Sequence, residues 1–475
     1  MFNTTKRVIA IALALVLVFA LAGCTKPVED GSSVIYEVIE DVEYVQGEST
    51  GNNTQTGNDA GTGSSNKDQT TSKQENPGVN LEALKGTTVK FASTIDPKND
   101  GTQNVVDSFE KKYGMKVKII GCSLSGYIAE MQVLIQNGES PDVGRSNGDF
   151  PGCLAYFDSL DKAKIDMSDP IWNQTTFKLS TFAGKPYMCD TYGNYWTELD
   201  MVMYSKSALE DAGFVEGENF PMDLWAKGEW TWEAFIDIAK ACSENAGNKP
   251  MGYATYECAL HMNGGNVYSI KNEKIVSGIN SKTTEIMTKF AQARKDGYIN
   301  NIGEKGLATG ETAITTTHAW SLRNDSDVVK AGIKKGDMGY CYLPSYSKGE
   351  ATPATGIFRG FGVMKGAKNP EGAGVFLRHY LDVENYDIDS AFINEEAKSF
   401  FFKLSGQDWG DNYNPYLTYI GLNTPISGVN YNSEIYKAMY ADPSAVSSMM
   451  AQIASKTQSG ADELNNHIAK YAYSN

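Results

Sequence analysis

After residue 87, apolar and polar positions alternate with two periods that follow one another along the chain. Apolar residues at every second position predict strands, and apolar residues at every third or fourth position predict amphipathic helices. The predicted order is a strand at 88–92, a helix ending at 113, a strand at 117–120, a helix at 125–137 and a short strand at 141–143. This alternation favours an α/β fold with a mainly parallel sheet, whose ligands bind beyond the carboxyl ends of the strands.

A second patterned region runs from 310 to 382. Its β-branched run at 312–317 predicts a strand that brings Trp320 into a loop. Apolar runs at 338–343 and 356–364 predict two further strands. Asn369-Pro370 then starts a helix, because proline is favoured in a first turn and apolar residues follow at helical spacing.

Helices are also predicted on either side of this region. Thr231 is placed to cap a helix that runs to about 243, and a second helix is expected at 283–297. After 382 the pattern indicates helices and irregular segments.

The first 85 residues have a different composition. Lys6 and Arg7 precede an apolar stretch at 8–20, which is too short for a comfortable membrane span and is typical of a signal peptide, here 1–24. Residues 25–85 are acidic, and 46–78 consist almost entirely of small and polar residues. Such a segment cannot offset its ordering entropy, so we expect a flexible tether with a reach of about 30 Å.

The net charge of −16 narrows the range of partners. An acidic protein repels phosphate backbones, which argues against nucleic acid and against anionic membrane surfaces as partners. Outside the leader the chain has the six cysteines Cys122, Cys153, Cys189, Cys242, Cys258 and Cys341. None of them forms a C-x-x-C motif, so buried thiols are favoured over disulfides, which the sequence leaves open.

The order of several motifs resembles a known family. Gly310-Glu311-Thr312-Ala313 is followed by Trp320, then by Tyr342-Leu343-Pro344, and then by Asn369-Pro370 before an apolar helix. From about Thr88 onward the chain resembles the extracellular solute-binding proteins of ABC sugar importers, the sugar-binding family that includes the maltodextrin-binding protein.

This resemblance implies a two-lobed α/β fold of the periplasmic-binding-protein type II, with a hinge of crossing strands and a ligand cleft between the lobes. The expected first lobe comprises 86–197 and 342–382, and the second comprises 198–341 and 383–475. The segment from 185 to 206 is similar to the first crossing between the lobes.

Leu21-Ala22-Gly23-Cys24 resembles the lipobox of bacterial lipoproteins. The resemblance implies cleavage before Cys24 and attachment of lipid to its sulfur, which would hold the protein on the extracellular face of the cell membrane. An ordinary cleaved signal with an incidental cysteine is the alternative.

Aromatic side chains are the main candidates for ligand contact, because a sugar ring offers an apolar face for stacking and a rim of hydroxyls for hydrogen bonds. Trp320 matches a pocket tryptophan of the family. The other candidates follow from position near the predicted crossing or cleft loops or, for Tyr256, from its resemblance to an aromatic residue of the family that stacks on the ligand. These other candidates are Trp196, Tyr192, Tyr195, Tyr256, Phe358, Arg359, Asp96 and Asp149.

Catalytic and metal motifs are nearly absent, so the sequence predicts neither an enzyme nor a bound cofactor. Gly121-Cys122-Ser123-Leu124-Ser125 misses a nucleophile elbow at its last position. We expect a monomeric substrate-binding subunit that captures a carbohydrate by hinge closure and delivers it to an ABC permease. The alternatives are a surface carbohydrate-active hydrolase and a sugar sensor or adhesin that does not transport.

Overall fold

The computed structural model describes residues 78–475 except 95–96, 101, 124–126, 148–149, 151–152, 154–155, 192–198, 256–257, 259, 261–266, 387, 389–390, 407–408, 410–430 and 473–475. The strands are β1 (Thr88–Ser93), β2 (Lys116–Gly121), β3 (Val143–Asn147), β4 (Phe157–Asp158), β5 (Thr181–Phe182), β6 (Lys185–Pro186), β7 (Asp200–Ser205), β8 (Met251–Tyr253), β9 (Tyr268–Lys271), β10 (Lys274–Ser277), β11 (Thr312–His318), β12 (Met338–Cys341) and β13 (Arg359–Met364).

The α-helices of the same residues are α1 (Leu81–Leu84), α2 (Pro97–Asp100), α3 (Gln103–Tyr113), α4 (Tyr127–Gln136), α5 (Gln174–Leu179), α6 (Lys206–Asp211), α7 (Pro221–Ala226), α8 (Trp232–Asn245), α9 (Ser281–Lys295), α10 (Gly306–Thr309), α11 (Asp327–Lys330), α12 (Pro370–Tyr380), α13 (Glu395–Ser405), α14 (Tyr431–Met439) and α15 (Pro443–Ala472). Single 3-10 turns lie at Leu160–Ala163, Ala319–Leu322, Lys335–Asp337 and Val383–Asn385.

The first sheet has the strand order β2-β1-β3-β13-β4. β1 pairs in parallel with β2 and with β3, whereas β13 runs antiparallel to β3 and β4. The predicted alternation of strands and helices is confirmed here as β1, α3, β2, α4 and β3. β13 enters this sheet only after the chain has built the second sheet, so the two sheets are linked by chain segments that run both ways.

Aromatic packing holds α3 and α12 on one face of the first sheet. The ring of Phe376 on α12 lies 5.3 Å from that of Phe91 on β1 and 5.2 Å from that of Phe109 on α3. All three side chains are buried. The helical spacing around Phe376 therefore placed a core face correctly, and Asn369 caps α12 by accepting a hydrogen bond from the backbone N–H of Gly372.

The second sheet has the order β12-β7-β11-β8. β7 pairs antiparallel with both β11 and β12, and every residue of β7 is buried. Met201 and Met203 belong to a core cluster that includes α13, while Val202 and Tyr204 belong to one that includes α8. Successive side chains of a strand point to opposite faces, so helices cover both faces of this sheet.

The predicted cap of α8 is confirmed. Thr231 accepts a hydrogen bond from the backbone N–H of Ala234 and starts α8. α9 begins two residues earlier than predicted, because Asn280 accepts a hydrogen bond from the N–H of Thr283 and so caps the helix.

Two segments that connect the sheets touch each other. The first crossing segment ends at Leu199, where the chain enters β7, and the second crossing segment comprises residues 342–358, between β12 and β13. Leu199 forms an antiparallel bridge with Gly356, and the backbone N–H of Asp200 donates to the carbonyl of Thr355 at 2.7 Å. The end of the first crossing segment and the start of β7 are therefore joined to the second crossing segment, close to where that segment enters β13.

The last helix, α15, returns to the hairpin formed by β9 and β10. The Asn465 side chain on α15 accepts a hydrogen bond from the Ile275 N–H at 2.8 Å and donates one to the Ile275 carbonyl at 2.7 Å. This side chain replaces the missing strand partner of β10, which protects an otherwise open sheet edge.

Candidate functional site

Trp320 lies in the 3-10 turn that follows β11 directly. Its neighbours Ala319 and Leu322 are buried, whereas Trp320 itself is partly exposed. The N–H of Ala319 donates to the carbonyl of Leu199, so the turn is fastened to the end of the first crossing segment. The buried strand and the anchored turn thus hold an indole at the surface next to the junction of the sheets.

The carboxylate of Glu304 stabilises the turn that carries Trp320. The Ser321 hydroxyl donates to Glu304 Oε2 at 2.9 Å, and the Thr317 hydroxyl donates to the same oxygen. The Thr317 and Ser321 hydroxyls are themselves 2.7 Å apart, and both residues are buried. Because these two residues flank Trp320 on either side of the turn, Glu304 limits the conformations open to the turn.

A second polar pair lies at the same end of the sheet. Asp200 starts β7, His318 ends β11, and the two are direct partners in the antiparallel ladder. Asp200 Oδ1 lies 2.6 Å from His318 Nδ1, and the imidazole is 6.3 Å from the indole of Trp320 between ring centroids. Sequence reasoning missed Asp200, His318 and Glu304. Of these three residues, only His318 could have been found from the sequence, because it lies two positions before Trp320.

Phe358 and Arg359 follow the second crossing segment into β13. Phe358 is 1% exposed, and its ring packs edge-on against Phe150 with centroids 4.8 Å apart. Because Phe358 is buried, it offers a ligand almost no surface in this structure. Its role as a ligand contact stays a prediction. Arg359 is partly exposed and begins β13 three residues after the bridge at Gly356, so it lies near the junction where Trp320 also sits.

The remaining predicted residues cannot be placed in this arrangement. Tyr192, Tyr195, Trp196, Tyr256, Asp96, Asp149 and the lipidation candidate Cys24 lie outside the described residues. The structure therefore places Trp320 beside the junction between the sheets and Arg359 at the start of β13, and the other ligand contacts stay predictions.

A separate pocket of about 190 Å³ lies at the opposite end of the second sheet. It is lined by Ser205 at the end of β7, Thr312 at the start of β11, and Asp337. Asp337 accepts hydrogen bonds from the Ser205 hydroxyl at 2.7 Å and from the Ser207 N–H at 2.8 Å. This carboxylate thus stabilises the start of α6. Its pocket and Trp320 lie at opposite ends of β11.

Within the described ranges, no group of three or more histidine, cysteine or acidic side chains is placed to hold a metal ion. The six cysteines of the body are buried thiols. No helix among these same residues is long and apolar enough to cross a membrane.

Known structures share this fold. A cycloalternan-bound ABC substrate-binding protein from Listeria monocytogenes is 18% identical, with a TM-score of 0.56 and coverage of 78% of this chain and 99% of that one. The cyclic α-maltosyl-1,6-maltose binding protein from Arthrobacter globiformis is 13% identical, with a TM-score of 0.59 and coverage of 79% and 99%.

The lacto-N-biose-bound protein of an ABC transporter from Bifidobacterium longum is 16% identical, with a TM-score of 0.55 and coverage of 82% and 98%. At these identities the likeness establishes the two-lobed α/β fold. No curated protein matches the chain.

The family assignment rests on the sequence profile rather than on these structures. The profile of bacterial extracellular solute-binding proteins matches residues 104–394, which is more than half of the chain and includes the second sheet, every strand of the first sheet except β1, the junction and Trp320. The chain therefore belongs to the family of bacterial extracellular solute-binding proteins.

Proposed function

We propose that this protein is the substrate-binding subunit of an ABC importer and that its solute is a carbohydrate. The observation that carries the proposal is the family match over 104–394, in which β7, β11 and the crossing segments form the frame around Trp320. The structurally similar proteins that bind cycloalternan and lacto-N-biose support a saccharide as the solute class.

The site chemistry supports the same class of ligand. An indole held at the surface by a buried strand offers a flat apolar face, and the C–H face of a sugar ring packs well against it. The imidazole of His318 beside the indole suits the hydroxyl rim of the same sugar. The acidic net charge of −16 favours a neutral solute over a polyanion.

Hinge closure is the mechanism that we assign to this frame. A ligand that touches both lobes stabilises the closed form alone, so its binding shifts the population from open to closed. The hydrogen bond of 2.7 Å from the Asp200 N–H to the Thr355 carbonyl ties the start of β7 to the second crossing segment. We infer that bending occurs in the crossing segments, with lobe boundaries at 86–197 plus 342–382 and at 198–341 plus 383–475.

The cellular setting is part of the proposal. We infer that Cys24 carries lipid, that residues 25–85 act as a flexible tether, and that the folded body works as a monomer at the extracellular face of the cell membrane. A membrane permease would recognise the closed form and receive the solute.

Calorimetry and X-ray scattering on the same sample test this function. We expect the protein to bind at least one saccharide from a panel of cycloalternan, lacto-N-biose, maltose and raffinose, to become more compact, and to return the sugar unchanged. Accumulation of a cleaved product would instead identify a carbohydrate-active enzyme. Absence of binding to every saccharide in the panel would contradict the carbohydrate class.

A further inference from the structure

The pair formed by Asp200 and His318 joins a fully buried side chain to a partly exposed one. The Asp200 side chain is 0% exposed and the His318 side chain is 21% exposed, so the pair runs from the core to the surface. Asp200 Oδ1 and His318 Nδ1 are 2.6 Å apart, although the ring N–H does not point straight at the oxygen. A buried carboxylate thus lies against the inner nitrogen of a partly exposed imidazole.

The short distance between Asp200 Oδ1 and His318 Nδ1 requires a proton on one of the two atoms. A carboxylate only accepts hydrogen bonds, and an unprotonated ring nitrogen is also an acceptor. Two acceptors 2.6 Å apart would repel each other, so one of these two atoms carries a proton in this arrangement. The buried carboxyl group of Asp200 therefore restricts the rotation of the imidazole.

The imidazole lies beside the indole of Trp320. The two ring centroids are 6.3 Å apart and the ring planes are inclined by 31°. A sugar that stacks on Trp320 would bring its hydroxyl rim to the edge of the imidazole, whose second nitrogen, Nε2, is on the far side of the ring from Asp200. A hydroxyl both donates and accepts, so it bonds Nε2 whether that nitrogen is bare or protonated.

Asp200 also connects this contact to the junction between the sheets. Its backbone N–H donates to the Thr355 carbonyl of the second crossing segment at 2.7 Å, while its carboxylate faces His318. One residue therefore touches both the segment that joins the lobes and the side chain that lies beside the proposed stacking platform.

We propose that His318 is a ligand-binding residue that hydrogen-bonds a hydroxyl of a saccharide stacked on Trp320, and that Asp200 is the positioning residue that orients it. This inference rests on the proposed function. It adds a polar, hydroxyl-directed contact to a site whose predicted members beside the indole were otherwise assigned by resemblance and position.

The first experiment measures saccharide affinity by calorimetry. The probes are the panel sugars cycloalternan, lacto-N-biose, maltose and raffinose, and the variants are His318→Phe, Asp200→Asn and the double variant of both. Phenylalanine keeps an aromatic ring beside Trp320 but removes both nitrogens. We expect at least a ten-fold loss of affinity with His318→Phe and with the double variant, and a smaller loss with Asp200→Asn, whose amide oxygen can still accept from Nδ1–H.

The double variant distinguishes a loss of ligand binding from a loss of protein stability. His318→Phe alone leaves a buried carboxylate without the imidazole, which destabilises the fold, whereas the double variant removes the charge as well. A double variant that keeps the thermal midpoint of the wild type and loses affinity supports a ligand role. A double variant that unfolds at a lower temperature but binds the saccharide as tightly as the wild type would show that the pair has only a structural role, and would overturn the inference.

A second measurement needs no variant. In protein labelled with ¹⁵N-histidine, long-range ¹H–¹⁵N spectra distinguish protonated from bare ring nitrogens. We expect a protonated Nδ1 on His318 before ligand is added, and a shift of its Nε2 signal on adding the saccharide that the wild type binds. His379 is the internal control, because its Nε2 is 2.8 Å from the Ser108 hydroxyl in the first lobe.

The results of these experiments distinguish a failure of the proposed role of His318 from a failure of the proposed carbohydrate-binding function. If the wild type binds a saccharide but His318→Phe binds it equally well and Nε2 does not shift, the role of His318 is wrong and the solute-binding function stands. If the wild type binds no panel saccharide, the carbohydrate function fails and the inference about His318 fails with it.

Discussion

The carboxylate of Glu304, in the loop before α10, accepts a hydrogen bond of 2.9 Å from the hydroxyl of Ser321, the residue after Trp320. It accepts a second hydrogen bond from Thr317, at the end of β11. A single oxygen therefore fixes the strand end and the turn that between them carry the indole. Ligand binding at this turn should depend on a residue that need not touch the ligand.

Glu304→Ala should weaken saccharide binding and lower the free energy of unfolding by about 1–3 kcal/mol, because the buried Thr317 and Ser321 hydroxyls lose their shared acceptor and only one of them can then donate to the other. Glu304→Gln should cost less, since its amide oxygen still accepts. The measurements are calorimetry and chemical denaturation. Glu311→Ala is the matched control: it removes an exposed carboxylate that accepts from Thr309 at 2.6 Å, and it should leave affinity unchanged. Equal effects of the two alanine variants would contradict the role of Glu304.

Trp320→Ala should reduce the free energy of saccharide binding by about 1–3 kcal/mol, through loss of the stacking face. The fold should survive, because Trp320 is partly exposed and its neighbours Ala319 and Leu322 anchor the turn. Calorimetry gives the affinity, and circular dichroism confirms that the protein is folded. The buried Trp232 provides the contrast: its replacement by alanine should unfold the second lobe. Unchanged affinity in the Trp320 variant would remove this residue from the site.

Gly374→Ala should lower the free energy of unfolding by about 1–3 kcal/mol. A β-carbon at Gly374 on α12 would lie 2.3 Å from the backbone carbonyl oxygen of Ala163, which cannot move aside as a flexible side chain would. This clash outweighs the gain of at most about 1 kcal/mol that alanine brings to a helix interior. Gly247→Ala, with nothing within 4 Å of the added carbon, is the control for chemical denaturation. A stability of Gly374→Ala equal to that of the control would show that α12 shifts without cost.

The cysteines of the body should resist thiol reagents until the protein unfolds. Burial raises the pKa of the Cys242 thiol to about 12, and burial together with the Glu130 carboxylate raises the pKa of Cys122 to about 11. The thiolate is the reactive form, so labelling at pH 8 should be slow in the native state. In the Cys24→Ala variant, denaturation without reductant should release six reactive thiols. Two fewer would reveal a disulfide and contradict the buried thiols.

Cys24→Ala should also release the full-length protein from membranes, because the acyl chains that hold it could no longer be attached. Detergent-phase partitioning of cell extracts measures this directly, and a Cys122→Ala variant is the control that should stay with the detergent phase. A Cys24→Ala protein that remained there as well would show that the lipobox interpretation is wrong.

Local signals predicted the elements around the site but not the contacts across it. Thr231 was recognised as a helix start because its side chain can cap the helix, and Asn369-Pro370 because proline is favoured in a first turn. The strand leading to Trp320 was recognised because β-branched residues favour extended backbone. In contrast, the burial of Phe358 was not foreseen, because its partner Phe150 is distant in the chain and belongs to another part of the first lobe.

The sequence by itself determined the order of strands and helices, the family and the presence of Trp320 at a strand end, because periodicity, capping and motif order are properties of short segments. The tertiary structure alone decided that Asp200 lies against His318 and that Thr355 meets the start of β7. These contacts depend on the register of β7 against β11 and on the path of the chain between two sheets. Register and path follow from the packing of whole sheets, since many distant side chains must be buried together before any one pairing is favoured.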